Sequence, residues 1–195
     1  MILARKRLNS ADRKKEIMNV VLDIIYEEGF YKLTIRNIAD RIGISEAAIY
    51  RHFNNKKQII DRLTDYIFKD HCWQDLDFSR SPFVLLRSLI RGQFELLEGN
   101  PRLTAVIFEE GIFREYDEIA EKISRYRKEK ENKIIKIVEQ GQETADISSD
   151  VNPQVFALLF MGAVRVSVIR WKENKFSTPL VGQEEEILEE LFKLL

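Results

Sequence analysis

Residues 50 to 57 bring aromatic, cationic and amide side chains together in one short stretch, YRHFNNKK. Hydroxyl, imidazole and ammonium groups all donate hydrogen bonds to phosphate oxygens. We therefore expect Tyr50, His52 and Lys56 to face a sugar-phosphate backbone. Lys56 also begins a predicted helix, where the helix dipole favours an anion. Phe53 is predicted to be the buried anchor that fixes this geometry.

Three predicted helices position this stretch. Apolar residues at positions i, i+3, i+4, i+7 and i+8 predict an amphipathic helix over 13–28, which Gly29 ends. Two short helices follow at 35–42 and 46–52, separated by Gly43. Such a pair, joined by a tight turn and preceded by a longer helix, is typical of a helix-turn-helix, whose second helix enters the major groove.

Residue types within this motif favour particular structural roles. Thr34 and Ser45 are predicted N-caps, because their hydroxyls can accept an otherwise unpaired backbone N–H. Ile38, Ile49 and Phe53 are predicted to close a small core with the helix at 13–28.

The leading residues of the second short helix are candidates for base contact, and they are Ser45, Glu46, Ala47 and Ala48. Alanine lets the backbone come near base edges and can contact a thymine methyl, and Glu46 can accept from a cytosine amino group. Arg36 can reach a guanine edge or a phosphate. Simpler alternatives stay open, since Ser45 can be a cap alone and Glu46 can merely complement the helix dipole.

Charge is distributed unevenly along the 195 residues. Residues 1–57 contain 12 Lys and Arg against 7 Asp and Glu, and the remainder contains 19 against 25. A basic end on an acidic body indicates a polyanionic partner at that end, although a solvated charged surface is the alternative. The single Cys72 excludes an intramolecular disulfide and fits a reducing compartment. The charged start is not expected to be a signal peptide, so we expect a cytoplasmic protein.

The remainder of the chain predicts further helices and no sheet, because no long stretch alternates apolar and polar residues. The predicted helices lie at about 56–73, 82–98, 101–113, 116–142, 152–174 and 183–195. The expected fold class is therefore all-α, with about nine helices. The apolar run over 155–164 is shorter than the roughly 20 residues that span a bilayer, and we expect it to be buried core.

Catalysis is not expected from this sequence. The two His residues and the lone Cys show neither a nucleophile–base spacing nor a metal-ligand spacing. His71 and Cys72 are adjacent on a predicted helix, and adjacent side chains there do not converge on one ion. We therefore predict no catalytic residue, no metal site and no cofactor.

The segment LTIRNIADRIGISEAAIYRHFNNKKQII resembles the TetR family of bacterial transcriptional regulators. The residues that carry the resemblance are Gly29, Thr34, Ile38, Ala39, Gly43, Tyr50, Phe53 and Lys56. The resemblance implies a three-helix DNA-binding domain over 1–55. It also implies a helical effector-binding and dimerisation domain over 56–195.

Carried over by position, the resemblance assigns DNA contacts. It implies phosphate contacts at Thr34, Tyr50, His52 and Lys56. It implies base or groove contacts at Arg36, Ser45, Glu46, Ala47, Ala48 and Arg51. Arg51 departs from the aromatic, Ser or His types expected at its position, so its assignment stays open.

The resemblance also implies a cavity between the body helices for a small, mostly apolar effector. The candidate ligand contacts are Phe94, Phe108, Phe113, Tyr126, Phe160 and Arg165. Aromatic residues on several helices can equally fill the core. Arg87, Arg91 and Arg165 can meet an anionic head group, or they can form salt bridges or interface contacts instead.

The last two predicted helices favour a dimer. Residues 155–171 are apolar almost all round, so both sides should be covered, and the final helix has one apolar stripe. Covering by a second copy gives a two-fold four-helix interface through 152–174 and 183–195, which the resemblance also implies. A thicker monomeric core is the alternative.

The expected function is sequence-specific DNA binding by a transcriptional regulator. A homodimer would place two recognition helices on a palindromic double-stranded operator. The first hypothesis is a repressor that its small, mostly apolar effector releases from the operator. An effector-independent DNA-binding protein, of nucleoid-associated or division-control type, fits the amino-terminal motif equally well. A protein–protein adaptor that uses the helices only as scaffold is the third reading.

Overall fold

Helices make up all the regular structure in residues 9–68, 76–108 and 115–195, which are the residues that the computed structural model describes. Nine α-helices and no strand lie in these ranges, which confirms the predicted all-α class. Their bounds are Ser10–Glu28 (α1), Ile35–Ile42 (α2), Glu46–Tyr50 (α3), Lys56–Phe68 (α4), Pro82–Gly99 (α5), Thr104–Ile107 (α6), Asp117–Glu143 (α7), Pro153–Glu173 (α8) and Gln183–Phe192 (α9). Short 3₁₀ turns occur at Phe30–Lys32 and Pro101–Leu103.

Side-chain caps begin each of the first three helices. The Asn9 side chain accepts a first-turn N–H at 2.8 Å, so α1 starts at Ser10 rather than at the predicted residue 13. The Thr34 hydroxyl accepts an N–H of α2 at 3.0 Å. The Ser45 hydroxyl accepts an N–H of α3 at 3.3 Å. Both predicted caps are thereby confirmed.

The end of α3 differs from the predicted end at residue 52. The backbone N–H groups of His52 and Phe53 both donate to the carbonyl oxygen of Ile49, at 2.9 and 3.0 Å. This shared acceptor closes the helix at Tyr50 and turns the chain toward α4. The predicted continuation of α4 from residue 69 to 73 lies outside the described residues.

The helix predicted over 101–113 is split. It begins as the 3₁₀ turn Pro101–Leu103 and continues as the four-residue α6, and residues 109–113 lie outside the described residues. Proline at the first position supplies no backbone N–H and fixes φ, which suits a tight opening turn. The last helix also ends earlier than predicted, at Phe192.

The predicted small core of the amino-terminal helices is confirmed. Ile38, Ile49 and Phe53 are buried together with Ile17 and Val21 of α1. These side chains belong to one connected apolar cluster that also includes the buried residues of the later helices. The amino-terminal helices therefore pack directly against the later helices and are not connected to them by the chain alone.

Two routes join the amino-terminal helices to the body. Helix α1 contacts α6 and the 3₁₀ turn before it, and Arg102 pairs with Asp23 of α1 at 2.5 Å. Helix α4 contacts the 27-residue α7, which also packs on α5 and α8. A displacement of α7 can therefore reach α4 directly.

One face of α8 is left open by the chain's own packing. The expectation that both sides are covered does not hold within one protomer: Val155, Leu158, Leu159 and Val166 are 47 to 69% exposed. Their spacing of i, i+3, i+4 and i+11 places them on one side of the helix. Among the described residues, α8 is the one helix whose length and composition would let it cross a bilayer, but core helices of soluble proteins pass the same test.

The apolar stripe of α9 is used inside the protomer. Leu188 and Leu191 are buried, and the helix packs on α5, where Phe83 meets Phe192 edge-on with ring centroids 4.9 Å apart. The outward face of α9 is acidic. Its exposed carboxylates are Glu185, Glu186, Glu189 and Glu190.

Candidate nucleic-acid interface and effector cavity

The turn between α2 and α3 is held by backbone bonds to one small residue. The carbonyl of Ala39 accepts from the N–H groups of Gly43 and Ile44, at 2.8 and 3.0 Å. Gly43 has φ 74°, a left-handed conformation that most side chains disfavour. Ala39 is 1% exposed, so a larger side chain there would push the two helices apart. This geometry presents the start of α3 outward at a fixed angle.

The predicted base-contacting residues share one outward surface. Ser45, Glu46 and Ala47 are exposed and Ala48 is half-buried. The α3 helix is only five residues long, so its amino-terminal turn is most of what it can present. Arg36, whose side chain is 82% exposed, has Nε 3.9 Å from Asp40, which leaves the guanidinium largely solvated.

Hydrogen-bond donors flank that surface. Tyr50 is 49% exposed and Arg51 is exposed, so both can reach a partner in solvent. Thr34 is exposed too, although its hydroxyl oxygen already accepts from α2; its O–H proton is still available as a donor. The predicted contact residues of α2 and α3 are thus exposed or half-buried, and none is enclosed in the core.

His52 occupies a half-buried place beside α1. Its Nδ1 lies 3.3 Å from the Ser10 hydroxyl, which leaves Nε2 to face outward as a donor in the tautomer where Nδ1 accepts. Burial lowers the pKa of His52, and the nearby positive charges of Lys14, Arg13 and Arg51 lower it further. The imidazole is therefore neutral near pH 7.

Sequence reasoning missed Ser10 and Lys14 as members of this surface. The Lys14 ammonium lies 6.0 Å from the ring centroid of Phe53 and contributes to the positive potential at His52. The prediction of α1 rests on its apolar stripe and takes no account of the polar residues in its first turns. A search for cations on the opposite face would have found Lys14, because i to i+4 spacing from Ser10 places both on one side.

Lys56 has partners from two other parts of the chain. Its Nζ lies 3.5 Å from a carboxylate oxygen of Glu115, and 4.5 Å from the centroid of the Phe30 ring. The next residue, Lys57, donates to Glu118 at 2.6 Å. Lys56, which is predicted to meet a phosphate, and its neighbour Lys57 are thus held by carboxylates at and just before the start of α7.

A polar cluster further along binds α4 to α7. The Lys122 ammonium lies 2.8 Å from Asp61 and 2.6 Å from Asp65, and the Tyr126 hydroxyl donates to Asp65 at 2.8 Å. Burial tends to raise the pKa of Asp65, but the hydrogen bonds from Lys122 and Tyr126 outweigh it and hold the pKa below its ordinary value. Burial raises the pKa of Tyr126, and the bond to Asp65 adds to that increase.

A cavity of about 560 Å³ lies between α4, α5, α7 and α8. This volume is within the range of small-molecule sites, roughly 300 to 1,000 Å³. Its described apolar lining comprises Ile67, Phe68, Leu97, Ile107, Phe108, Leu158, Phe160, Met161, Gly162, Val164 and Val168. Its polar lining comprises Gln93, Ser124, Arg127, Lys128, Lys130, Glu131 and Arg165.

The predicted ligand residues separate into three groups. Phe108, Phe160 and Arg165 line the cavity, and the Arg165 guanidinium lies 5.3 Å from the Phe108 ring centroid. Phe94 is fully buried, Tyr126 is bonded to Asp65, and neither is among the lining residues. Phe113 lies outside the described residues, as do His71 and Cys72, for which we expected no metal site.

Three cavity cations on α7 were not predicted. Arg127, Lys128 and Lys130 line the cavity together with Arg165 of α8. Arg87 and Arg91, by contrast, pair with Glu185 at 3.1 Å and with Glu95 at 3.0 Å. The run SRYRKEKENK carries the signal for the α7 cations, but its charge alone does not say which residues face an internal space.

A sequence model described as bacterial regulatory proteins of the tetR family matches residues 17–63, from the middle of α1 into α4. That segment contains all the predicted DNA-contact residues from Thr34 to Lys56, whereas Ser10 and Lys14 precede it. Residues 17–63 are thus a TetR-family segment.

Relatives and solved structures extend this likeness over nearly the whole chain. The nucleoid occlusion factor SlmA of Vibrio vulnificus is 24% identical over 189 residues, covering 95% of this chain and 94% of that protein. The HTH-type transcriptional repressor KstR2 of Mycolicibacterium smegmatis is 25% identical over 181 residues, covering 89% and 87%. The structure of the transcriptional regulator FadR from Bacillus subtilis in complex with stearoyl-CoA has a TM-score of 0.73 at 23% identity, covering 91% of this chain and 96% of that one.

This TetR-family segment makes the chain a DNA-binding regulator. Proteins of the family are regulators rather than enzymes, and they act as dimers on DNA. The exposed residues of α2 and α3 lie within the segment that matches the TetR-family model.

Proposed function

We propose that this TetR-family chain is a homodimeric repressor, which leaves a palindromic operator when a small amphiphilic effector enters the cavity. Residues 1–55 form the DNA-binding part and residues 56–195 the effector-binding and dimerisation part. The observation that carries the proposal is the combination, in one chain, of an exposed helix-turn-helix and an apolar cavity with a cationic rim.

DNA contacts in the proposal follow the exposed surface of α2, α3 and the start of α4. The residues proposed to meet phosphates are Thr34, Tyr50, His52 and Lys56, joined by Lys14. The residues proposed to meet bases or the groove are Arg36, Ser45, Glu46, Ala47, Ala48 and Arg51. Phosphate contacts position the protein on the duplex, and base contacts give sequence specificity. Substitutions in the first set should therefore weaken binding to all sequences, whereas substitutions in the second set should change sequence preference.

The proposed effector has an apolar body and an anionic head. Most of the described lining is aliphatic or aromatic, which favours a hydrocarbon chain, and Arg127 and Arg165 at the opening favour a carboxylate or phosphate. The stearoyl-CoA in the Bacillus subtilis FadR structure has this chemistry. An acyl-CoA or a free long-chain acid is therefore the class to test first.

The proposed dimer joins α8 and α9 of two copies. Support comes from the open apolar face of α8, which one protomer leaves in solvent, and from charge. Arg165 and Arg170 are exposed on α8, whereas the outward face of α9 is acidic, so α9 of one copy is electrostatically suited to α8 of the other. We place this dimer in the cytoplasm, together with the DNA it binds.

Operator selection followed by effector release tests the proposal. Duplexes enriched from random sequence should share a palindrome, and stearoyl-CoA should release the protein from it in fluorescence anisotropy. Arg127→Gln and Arg165→Gln should each weaken the stearoyl-CoA response about tenfold to a hundredfold, the range for one charge-assisted hydrogen bond. Lys172→Gln, on α8 but outside the lining, is the matched control. Unchanged responses in both arginine variants would remove the cavity from the proposal.

A second candidate function is effector-independent DNA binding of the nucleoid-occlusion type. The relative that supports it is SlmA of Vibrio vulnificus, which covers 95% of this chain. Under this alternative the selected palindrome is bound equally well with and without stearoyl-CoA or oleate, and genome-wide occupancy shows many scattered sites. A repressor occupies few sites, close to promoters.

A further inference from the structure

The lysines at the start of α4 face carboxylates at the start of α7. Lys56 Nζ lies 3.5 Å from Glu115, and Lys57 Nζ lies 2.6 Å from Glu118. All four side chains keep contact with solvent, with Lys56 the least exposed at 28%. The lysines are neighbours in sequence, Glu118 lies in the first turn of α7, and Glu115 lies two residues before that helix begins.

The same lysines lie where DNA phosphates would arrive. They open α4 directly after the turn that follows α3, and a helix amino terminus attracts anions. An ammonium group has three donors, but a carboxylate and a phosphate brought to one ammonium repel each other. Each lysine therefore binds a phosphate fully only when its glutamate moves away.

We propose that Glu115 and Glu118 compete with DNA phosphates for Lys56 and Lys57. The glutamates pair with the lysines in the free protein, and these ion pairs break when DNA binds. The glutamates act as phosphate mimics built into the body of the protein. DNA affinity is consequently set partly by α7, which does not itself reach the DNA surface.

The polar cluster between α4 and α7 holds the glutamates in position opposite the lysines. Lys122 joins Asp61 and Asp65, and Tyr126 joins Asp65, one to two turns beyond the glutamates. These bonds fix how far α7 can slide along α4. Glu115 and Glu118 therefore remain opposite the two lysines, which exposed ion pairs alone would not ensure.

Sequence-independent binding is sufficient for the test, because phosphate contacts do not read bases. The variant Glu115→Gln/Glu118→Gln should bind a labelled 25-base-pair duplex of arbitrary sequence about twofold to thirtyfold more tightly, since each of the two exposed pairs contributes roughly 0.2 to 1 kcal/mol. The salt dependence should steepen by up to about 0.9 in log K against log salt for each lysine released. Thermal melting should be almost unchanged.

Two controls separate competition from general charge repulsion. Glu121→Gln removes a carboxylate from the same helix, and it should change affinity less than 1.5-fold. In the Lys56→Gln/Lys57→Gln background, the glutamate substitutions should lose their effect. A gain in affinity that persists in that background would overturn the proposal, as would equal gains from Glu121→Gln. If the wild-type protein does not bind duplex DNA at low salt, the proposal and the DNA-binding function are both wrong. If the wild-type protein binds normally and the glutamate variant shows no gain in affinity, the competition alone is wrong.

Discussion

The open face of α8 makes Leu159→Ala the most direct probe of how this chain assembles. Leu159 is 47% exposed in one protomer and does not line the cavity, so its removal leaves the effector site intact. Fully burying a leucine is worth about 1.5 to 3 kcal/mol. Burying the exposed 47% of it therefore corresponds to about 0.7 to 1.4 kcal/mol for each copy.

A two-fold interface contains the residue twice, which doubles the effect. About 1.4 to 2.8 kcal/mol in total corresponds to a tenfold to hundredfold rise in the dimer dissociation constant. Sedimentation equilibrium over a range of protein concentrations measures this constant directly. Binding to a palindromic duplex should weaken in parallel, because each half-site then recruits its protomer separately.

A matched control uses an exposed apolar residue on another helix. Val84, on α5, is 37% exposed, and Val84→Ala should leave the dissociation constant unchanged. Both variants should stay folded, with the free energy of unfolding of the monomer lowered by no more than about 2 kcal/mol, since each side chain is only partly buried in the protomer. If Leu159→Ala dimerises as tightly as wild type, the assignment of this face to a second copy is wrong.

Two further predictions concern titrating groups at the two ends of α4. The pKa of His52 is lowered by burial and by nearby cations, and a DNA phosphate would raise it. DNA affinity should therefore increase as pH falls from 8 to below about 6.5. His52→Gln should flatten that dependence in anisotropy titrations. Lys122→Met leaves two carboxylates of the α4–α7 cluster without their cation and should cost about 1 to 2 kcal/mol in urea unfolding at pH 7, between the values for exposed and buried pairs. Because the pKa of Asp65 is depressed in the folded protein, its stabilising contribution is present above about pH 3.9 and is lost as pH falls through the folded pKa, so the difference between variant and wild type should shrink in acid.

The helix-turn-helix could be predicted from the sequence because its determinants are local. Thr34 and Ser45 lie at non-helical positions immediately before their helices, and Gly43 occupies the one left-handed position between them. Caps and glycine conformations act over three or four residues, so a single sequence contains all the information they need.

The cavity could be predicted only in part, for a physical reason. Phe94 and Phe160 are both buried aromatic residues on amphipathic helices, and hydrophobic periodicity says that each points inward. It does not say whether the inward space is filled. Phe160 lines the cavity and Phe94 is packed on all sides, which depends on how five helices fit together. The apolar stripe of α9 poses the same problem, since periodicity does not say that its packing partner within the protomer is α5.

The pairing of Lys56 with Glu115 is also beyond sequence reasoning, yet it bears on how the two functions of the chain communicate. Helix α7 lines the cavity at Ser124 and Arg127, and between these positions and the glutamates Lys122 joins it to α4. A ligand that binds one placement of α7 better than another must therefore also favour one placement of α4, because the cluster transmits the displacement. The recognition helix moves with α4, and the pair of Lys56 with Glu115 adds a second link between α4 and the segment that begins α7. A ligand with equal affinity for both placements would change neither, however tightly it bound.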